Sequence, residues 1–152
     1  MLTGKRLLGI DYGSKRIGIA ISDPTRIIAR GLTTLENDAN VFQELHRLIE
    51  EHGIECVIVG LPLNLKGEKG QKTKEVEVFI SELEKYTPVT IIRWDERFTT
   101  SIAQRTMREM GVKKTKRQKK QFIDQMASAL ILQSYLDAKN VEVIRGSSNE
   151  FS

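Results

Sequence analysis

"LLGIDYGSKRIGIAISD", Leu7 to Asp23, contains two apolar runs separated by a short polar turn. Leu7–Asp11 and Ile17–Asp23 read as strands, and a connection this short makes them an antiparallel hairpin. Gly13 lies in the turn and can take the positive φ that such turns often require. The first run ends on a carboxylate, Asp11, where the chain must fold back. An acid at a strand tip is either a turn residue or a group held out for chemistry.

Working outward, "RIIARGLTTL" (Arg26–Leu35) follows Pro24 as a third strand. Asn37, Asp38 or Asn40 can cap a helix through "VFQELHRLIEEHG", with Val41, Leu45, Leu48 and Ile49 on one face and Gly53 as its stop. "CVIVG" (Cys56–Gly60) is short and continuously apolar, as a strand covered on both faces must be. The Gly- and Lys-rich loop "LPLNLKGEKGQ" precedes a helix near Thr73–Lys85, and "PVTIIRWDERF" supplies a fifth strand ending near Trp94–Asp95. Ser101 and Gln104 have capping-box spacing, so a helix should cover about Ser101–Met110. A basic loop follows. The last helix carries "QFIDQMASALILQSYLDAK", with a short strand expected at Val141–Ile144.

A hairpin meander followed by β-α-β units implies an α/β fold. Its mixed sheet has the first strand beside the fourth and helices on both faces. One domain is expected over residues 1–145, with a flexible tail at 146–152. The first, fourth and fifth strands should run parallel in the middle of the sheet, their carboxyl ends sharing one edge. Open α/β sheets place their sites at that edge.

Composition narrows the class. With 39% hydrophobic and 29% charged residues the chain is an ordinary globular one. No apolar run approaches the ~20 residues of a membrane span. The single cysteine, Cys56, excludes an internal disulfide and reads as a buried reduced thiol, which points to the cytoplasm. The net charge of +4 is local. "KKTKRQKK" contributes Lys113, Lys114, Lys116, Arg117, Lys119 and Lys120. Taking these six from 24 basic residues leaves 18 against 20 acidic ones. Such a block is either a solvated loop or a phosphate-binding patch.

Three acids are out of pattern. Asp11 ends the first strand, and Asp95 with Glu96 ends the fifth. Asp124 begins a small, mostly apolar helical strip with Ala127, Ser128 and Ile131. A buried carboxylate needs a cation, strong donors or a raised pKa. A hard divalent ion, Mg²⁺ or Mn²⁺, shared by Asp11, Glu96 and Asp124 would satisfy all three. Taken singly, each has a plainer reading: a turn for Asp11, pairing with Arg93 or Arg97 for Asp95 or Glu96, and helix-dipole complementation for Asp124.

"GIDYGSKRIGIAISD", "VIVGLPLNLKGEKG", "WDERFTTSIAQ" and "DQMASALILQSYL" resemble, in order and spacing, four motif blocks of the bacterial YqgF/RuvX family. Its members are described as pre-ribosomal-RNA nucleases or Holliday-junction-resolvase-like proteins. The resemblance covers roughly Leu7 to Leu136 and implies the ribonuclease-H-like fold with a metal-dependent nuclease site. By motif position it implies Asp11, Glu96 (with Asp95 adjacent) and Asp124 as catalytic residues. Asp11, Glu96 and Asp124 would hold Mg²⁺ or Mn²⁺ for a two-metal hydrolysis. Two positions depart from the family pattern: Ala127-Ser128 stands where paired alanines are common, and Lys66 where an acid is common.

Arg16, Arg97 and the Lys113–Lys120 cluster would neutralise backbone phosphates. The resemblance implies endonucleolytic cleavage of nucleic acid, in 5′-end processing of pre-16S ribosomal RNA. Resolution of four-way DNA junctions is the alternative, for which a homodimer would supply the two active sites. A catalytically silent nucleic-acid-binding module is a third reading, in which the acids and basic loop only position the substrate.

Overall fold

The computed structural model describes residues 5–64, 66–99 and 116–150, with side chains described for all of these except 98, 116–119 and 142–150. Its elements are β1 (Arg6–Asp11), β2 (Arg16–Ser22), β3 (Ala29–Glu36), α1 (Val41–His52), β4 (Ile54–Leu61), α2 (Gln71–Leu83), β5 (Thr90–Asp95) and α3 (Lys116–Glu150). A 3-10 turn, Glu96–Phe98, follows β5 directly. The strands form one sheet in the order β3-β2-β1-β4-β5. β1 is antiparallel to β2 and parallel to β4, and β4 is parallel to β5. The mixed sheet agrees with the sequence, but β5 is an edge strand rather than a middle one.

Side-chain alternation along the strands divides the core in two. Leu8, Ile10, Val57 and Val59 face α1 and α2, joining Leu45, Val76 and Ile80. Leu7, Ala20, Cys56 and Ile58 face α3, joining Ile131, Leu132 and Leu136. Both faces of β1 and β4 are covered, which is why "CVIVG" reads as an unbroken apolar run. Cys56 is buried and its thiol is free; burial pushes its pKa up.

α1 stops at Gly53, whose φ of 62° is left-handed. Its Asn40 cap makes no side-chain cap bond. Instead the Asp38 carboxylate accepts the Asn40 N–H at 2.9 Å. Gly13 differs from expectation, since its φ is not positive. What it supplies is space, because an added Cβ would lie 2.4 Å from the Arg16 carbonyl oxygen.

Residues 141–144, expected as a strand, are helical, and helical backbone continues to Glu150. Among the described residues the sheet has β3 and β5 at its edges and does not include that strand. Lys116–Lys120, expected within a loop, form the first turn of α3. The helix expected at Ser101–Met110, and Lys113 and Lys114 of the basic cluster, lie outside the described residues.

Candidate active site

The carboxyl ends of β1, β4 and β5 meet at one edge, and the register fixes what meets there. Ile10 pairs with Val59, so Asp11 lies beside Gly60. Gly60 in turn pairs with Trp94, and Leu61 with Asp95. Alternation then sorts the acids by face. Leu7 and Gly9 contact the α3 layer, which puts Asp11 on that face, while Tyr12 turns to the opposite side and meets Phe79 of α2 at 5.0 Å between ring centroids.

The same rule separates Asp95 from Glu96. Trp94 packs into the α3 layer, donating its indole N–H to Ser134 Oγ at 3.0 Å and meeting the Tyr135 ring edge-on. Asp95 therefore points toward the α2 side, away from Asp11. There it accepts the Arg97 backbone N–H at 2.9 Å and binds the Arg97 guanidinium at 2.6–2.8 Å. These bonds hold its carboxyl below the usual range. Asp95 thus builds the 3-10 turn that aims the next residue. Glu96 returns to the α3 face, where its Oε1 would lie 2.7 Å from a Cβ added at Gly60.

Asp124 reaches the same face from α3. Gly18, the ladder partner of Asp11, has no side chain, and a Cβ there would sit 2.0 Å from the Asp124 carbonyl oxygen. Gly9 and Gly31 on the flanking strands make the same allowance for Leu132 and Gln125. α3 is thereby seated low on the sheet, with Ser128 fully buried as the sequence strip implied. The Asp124 carboxylate is engaged by Arg16, whose Nε donates to Oδ2 at 2.9 Å.

Asp11 and Glu96 differ from the other two acids. Burial, then the Glu96 charge, pushes Asp11 up to about 7; Asp124 adds to the effect and Lys72 opposes it. Burial also raises Glu96, opposed by Lys72. Neither carboxylate is offset by a paired cation within 4.0 Å among the described residues. Two adjacent acids with repelling charges on one withdrawn face suit a hard divalent cation. Asp124, held by Arg16, is not part of such a pair as it stands. Among the described residues no three Asp, Glu, His or Cys groups close on a common point. Thr99, whose N–H bonds to the Glu96 carbonyl at 2.9 Å, has a buried Oγ1 with no hydrogen-bond partner among the described residues.

Of the expected phosphate contacts, Arg16 and Arg97 are at the edge but pair with Asp124 and Asp95. Lys120 is exposed at the start of α3; the side chains of Lys116, Arg117 and Lys119 lie outside the described residues. Sequence reasoning missed Lys72, the cation whose charge reaches both Asp11 and Glu96. The available signal was its place in a first helical turn without any acid, where a lysine opposes the helix dipole.

A family model described as "RuvX: Holliday junction resolvase" matches residues 5–138. A curated relative from Acetivibrio thermocellus, named "Putative pre-16S rRNA nuclease", is 47% identical and covers 88% of this chain and 96% of its own. One from Ruminiclostridium cellulolyticum with the same name is 44% identical, over 87% and 94%. Among solved structures, Thermus thermophilus RuvC in complex with a Holliday junction substrate superposes with a TM-score of 0.58 at 13% identity, over 89% of this chain and 96% of that one. The Fowlpox virus resolvase bound to junction DNA gives 0.51 at 17% identity, over 88% and 97%. At these identities the structural likeness speaks for the fold, the ribonuclease-H-like architecture that the motifs implied.

Proposed function

The chain belongs to the RuvX Holliday junction resolvase family, and from that premise we propose that it is a nuclease hydrolysing nucleic-acid phosphodiesters at the Asp11–Glu96 edge. The observation that carries this reading is the pairing of those two acids. Asp11 ends β1 and Glu96 opens the 3-10 turn after β5; they share one face, and both have raised pKa values. The names of the curated relatives favour pre-16S ribosomal RNA as the substrate, and the task in this reading is processing of its 5′ end. The compartment in this reading is the cytoplasm.

Asp11 and Glu96 would hold Mg²⁺ or Mn²⁺, with Asp124 joining when Arg16 releases it. The bound ion would supply Lewis-acid polarisation and a water of lowered pKa. The chain's own contributions are positional. Asp95 orders the turn that aims Glu96, the three strand glycines seat α3, and Gly67 stands beside the guanidinium of Arg97. A Cβ on Gly67 would lie 3.3 Å from Arg97 Nη1 and Nη2. Arg16, once exchanged from Asp124, and Lys120 would take phosphates of the substrate backbone.

The family description favours a second reading, cleavage of four-way DNA junctions, for which a homodimer would bring two sites to one substrate. Depleting the protein in its host and mapping ribosomal RNA 5′ ends separates the two. Extended precursors with intact recombination are expected for RNA processing. Normal 5′ ends with defective junction resolution would transfer the assignment to DNA. In either case purified Glu96→Gln protein should lose cleavage, and cleavage at the wild-type rate would refute the site.

A further inference from the structure

At the sheet edge that holds Asp11 and Glu96 stands one lysine that the reading so far leaves without a task. Lys72 lies in the first turn of α2. That turn is fixed to the sheet edge by Thr73, which is buried, donates its hydroxyl to the Pro62 carbonyl and accepts the Gly70 N–H at 3.3 Å. Pro62 directly follows Leu61, whose ladder partner is Asp95. The start of α2 therefore stands on the edge itself. Lys72 is four residues before Val76 and seven before Phe79, both buried, so it continues the sheet-facing side of the helix beyond the core. Phe79 in turn touches Tyr12, the residue after Asp11.

Three other cations around this edge are engaged. Arg16 pairs with Asp124 at 2.9 Å, Arg97 with Asp95 at 2.6 Å, and Lys69 with Glu77 at 3.7 Å. Lys72 is exposed and, among the described residues, makes no ion pair within 4.0 Å. It stands at the edge on the α2 side of the sheet, while Asp11 and Glu96 stand at the same edge on the α3 side. A charged group that enters this edge from solvent comes between them.

Resting on the nuclease reading above, we propose that the Lys72 ammonium contacts a non-bridging oxygen of the phosphate being cleaved, from the side opposite Asp11 and Glu96, and is a catalytic residue. A phosphodiester gains negative charge on these oxygens as a nucleophile adds. An ammonium at this position offsets that charge at the reacting group rather than along the backbone. Lys72 thus differs in role from Lys120 and the cluster around it, which would strengthen binding without changing the rate of bond cleavage.

The test pairs Lys72→Met with Lys72→Arg in two measurements. In single-turnover cleavage of a nucleic acid that the wild type cuts, at saturating protein and with Mg²⁺, Lys72→Met should be slower by about 100-fold. Lys72→Arg should recover much of the loss, and circular dichroism should show all three proteins folded. The second measurement needs no turnover: affinity, with Ca²⁺ present, for one oligonucleotide carrying either a 5′-phosphate or a 5′-hydroxyl. The wild type should prefer the phosphate by about tenfold, and Lys72→Met should show no preference. Equal preference in both proteins, or cleavage by Lys72→Met within about threefold of wild type, would overturn the proposal. If the wild type cuts nothing while the phosphate preference is lost in Lys72→Met, the nuclease reading fails and the phosphate contact stands.

Discussion

Gly18 of β2 and Asp124 of α3 touch backbone to backbone: a Cβ on the glycine would lie 2.0 Å from the aspartate's carbonyl oxygen. Asp11 is the ladder partner of Gly18, so the contact that seats the helix also sets Asp124 beside the acid of the central strand. Gly18→Ala should therefore lift the start of α3 and destabilise the protein by about 1–3 kcal/mol, as overpacking does. Urea unfolding followed by circular dichroism measures this, and stability unchanged within error would refute the contact.

Gly60→Ala makes a contrasting case. The atoms its Cβ would meet are the ends of two side chains, Glu96 Oε1 and Ile131 Cδ1, each at 2.7 Å. These can move, so the stability cost should be smaller than at Gly18, below about 1.5 kcal/mol. Glu96 would nevertheless be displaced, and cleavage should fall by more than tenfold. Full activity in Gly60→Ala would separate Glu96 from the chemistry.

The acid pair predicts a pH dependence of the metal-free protein. Asp11 titrates near 7 in the folded chain against an ordinary 3.8. Between those values the folded state keeps a proton that the unfolded state has released. The corresponding stability is fully present below about pH 4 and is lost as pH rises through 7. Glu96 is shifted in the same direction. Asp23 and Asp95 are shifted downward, so their contributions are present above the ordinary carboxylate range and lost only in acid. With chelator present, the melting temperature should decline from pH 5 to pH 8. Asp11→Asn should flatten that decline and add about 2–4 kcal/mol at pH 8. A wild-type profile flat across this window would contradict the raised pKa.

Arg16 should act as a counter-ion that a divalent cation replaces. Both partners of the Arg16–Asp124 pair are about three-quarters withdrawn from solvent. Arg16→Met should cost about 1–3 kcal/mol in chelator by leaving Asp124 unpaired. Saturating Mn²⁺ should restore more stability to this variant than it adds to the wild type. Equal Mn²⁺ effects on the two melting temperatures would exclude Asp124 from the cation's surroundings.

Asp95 and Glu96 are neighbours in sequence and opposites in role. Asp95→Asn removes the charge that caps the 3-10 turn and grips Arg97, which should lower stability by about 1–2 kcal/mol. Glu96→Gln should leave stability unchanged or raise it, because it removes a buried charge, while reducing cleavage by at least about 100-fold. Comparing unfolding and cleavage for the two variants checks the assignment. The reverse pattern would exchange the roles.

Hydrophobic alternation carried most of the fold. The hairpin of Leu7–Asp23, the doubly covered run at Cys56–Gly60 and the Gly53 stop were legible because each depends on local spacing and burial. Residues 141–144 were not: "VEVI" has strand-like composition, and only the completed five-stranded sheet, with α3 running on beyond it, decides for helix. The acids that end β1 and follow β5 were legible, since strand ends are predictable where strands are; the hold of Arg16 on Asp124 was not. Which of Asp95 and Glu96 faces Asp11 was not, because it turns on side-chain parity relative to α3 and on the Asp95–Arg97 clamp. Lys72 was hidden among its sequence neighbours Lys66, Lys69 and Lys74. Its significance depends on where α2 begins above the sheet, a property that Thr73 and Pro62 set through a tertiary contact.

The central claim is that Asp11 and Glu96 together bind a divalent cation. Calorimetric titration of Mn²⁺ into chelator-treated wild type, Asp11→Asn, Glu96→Gln and Asp95→Asn tests it directly. The account predicts saturable binding to wild type and to Asp95→Asn, weakened at least about tenfold in each of the other two. Unaltered Mn²⁺ affinity in both Asp11→Asn and Glu96→Gln would contradict it.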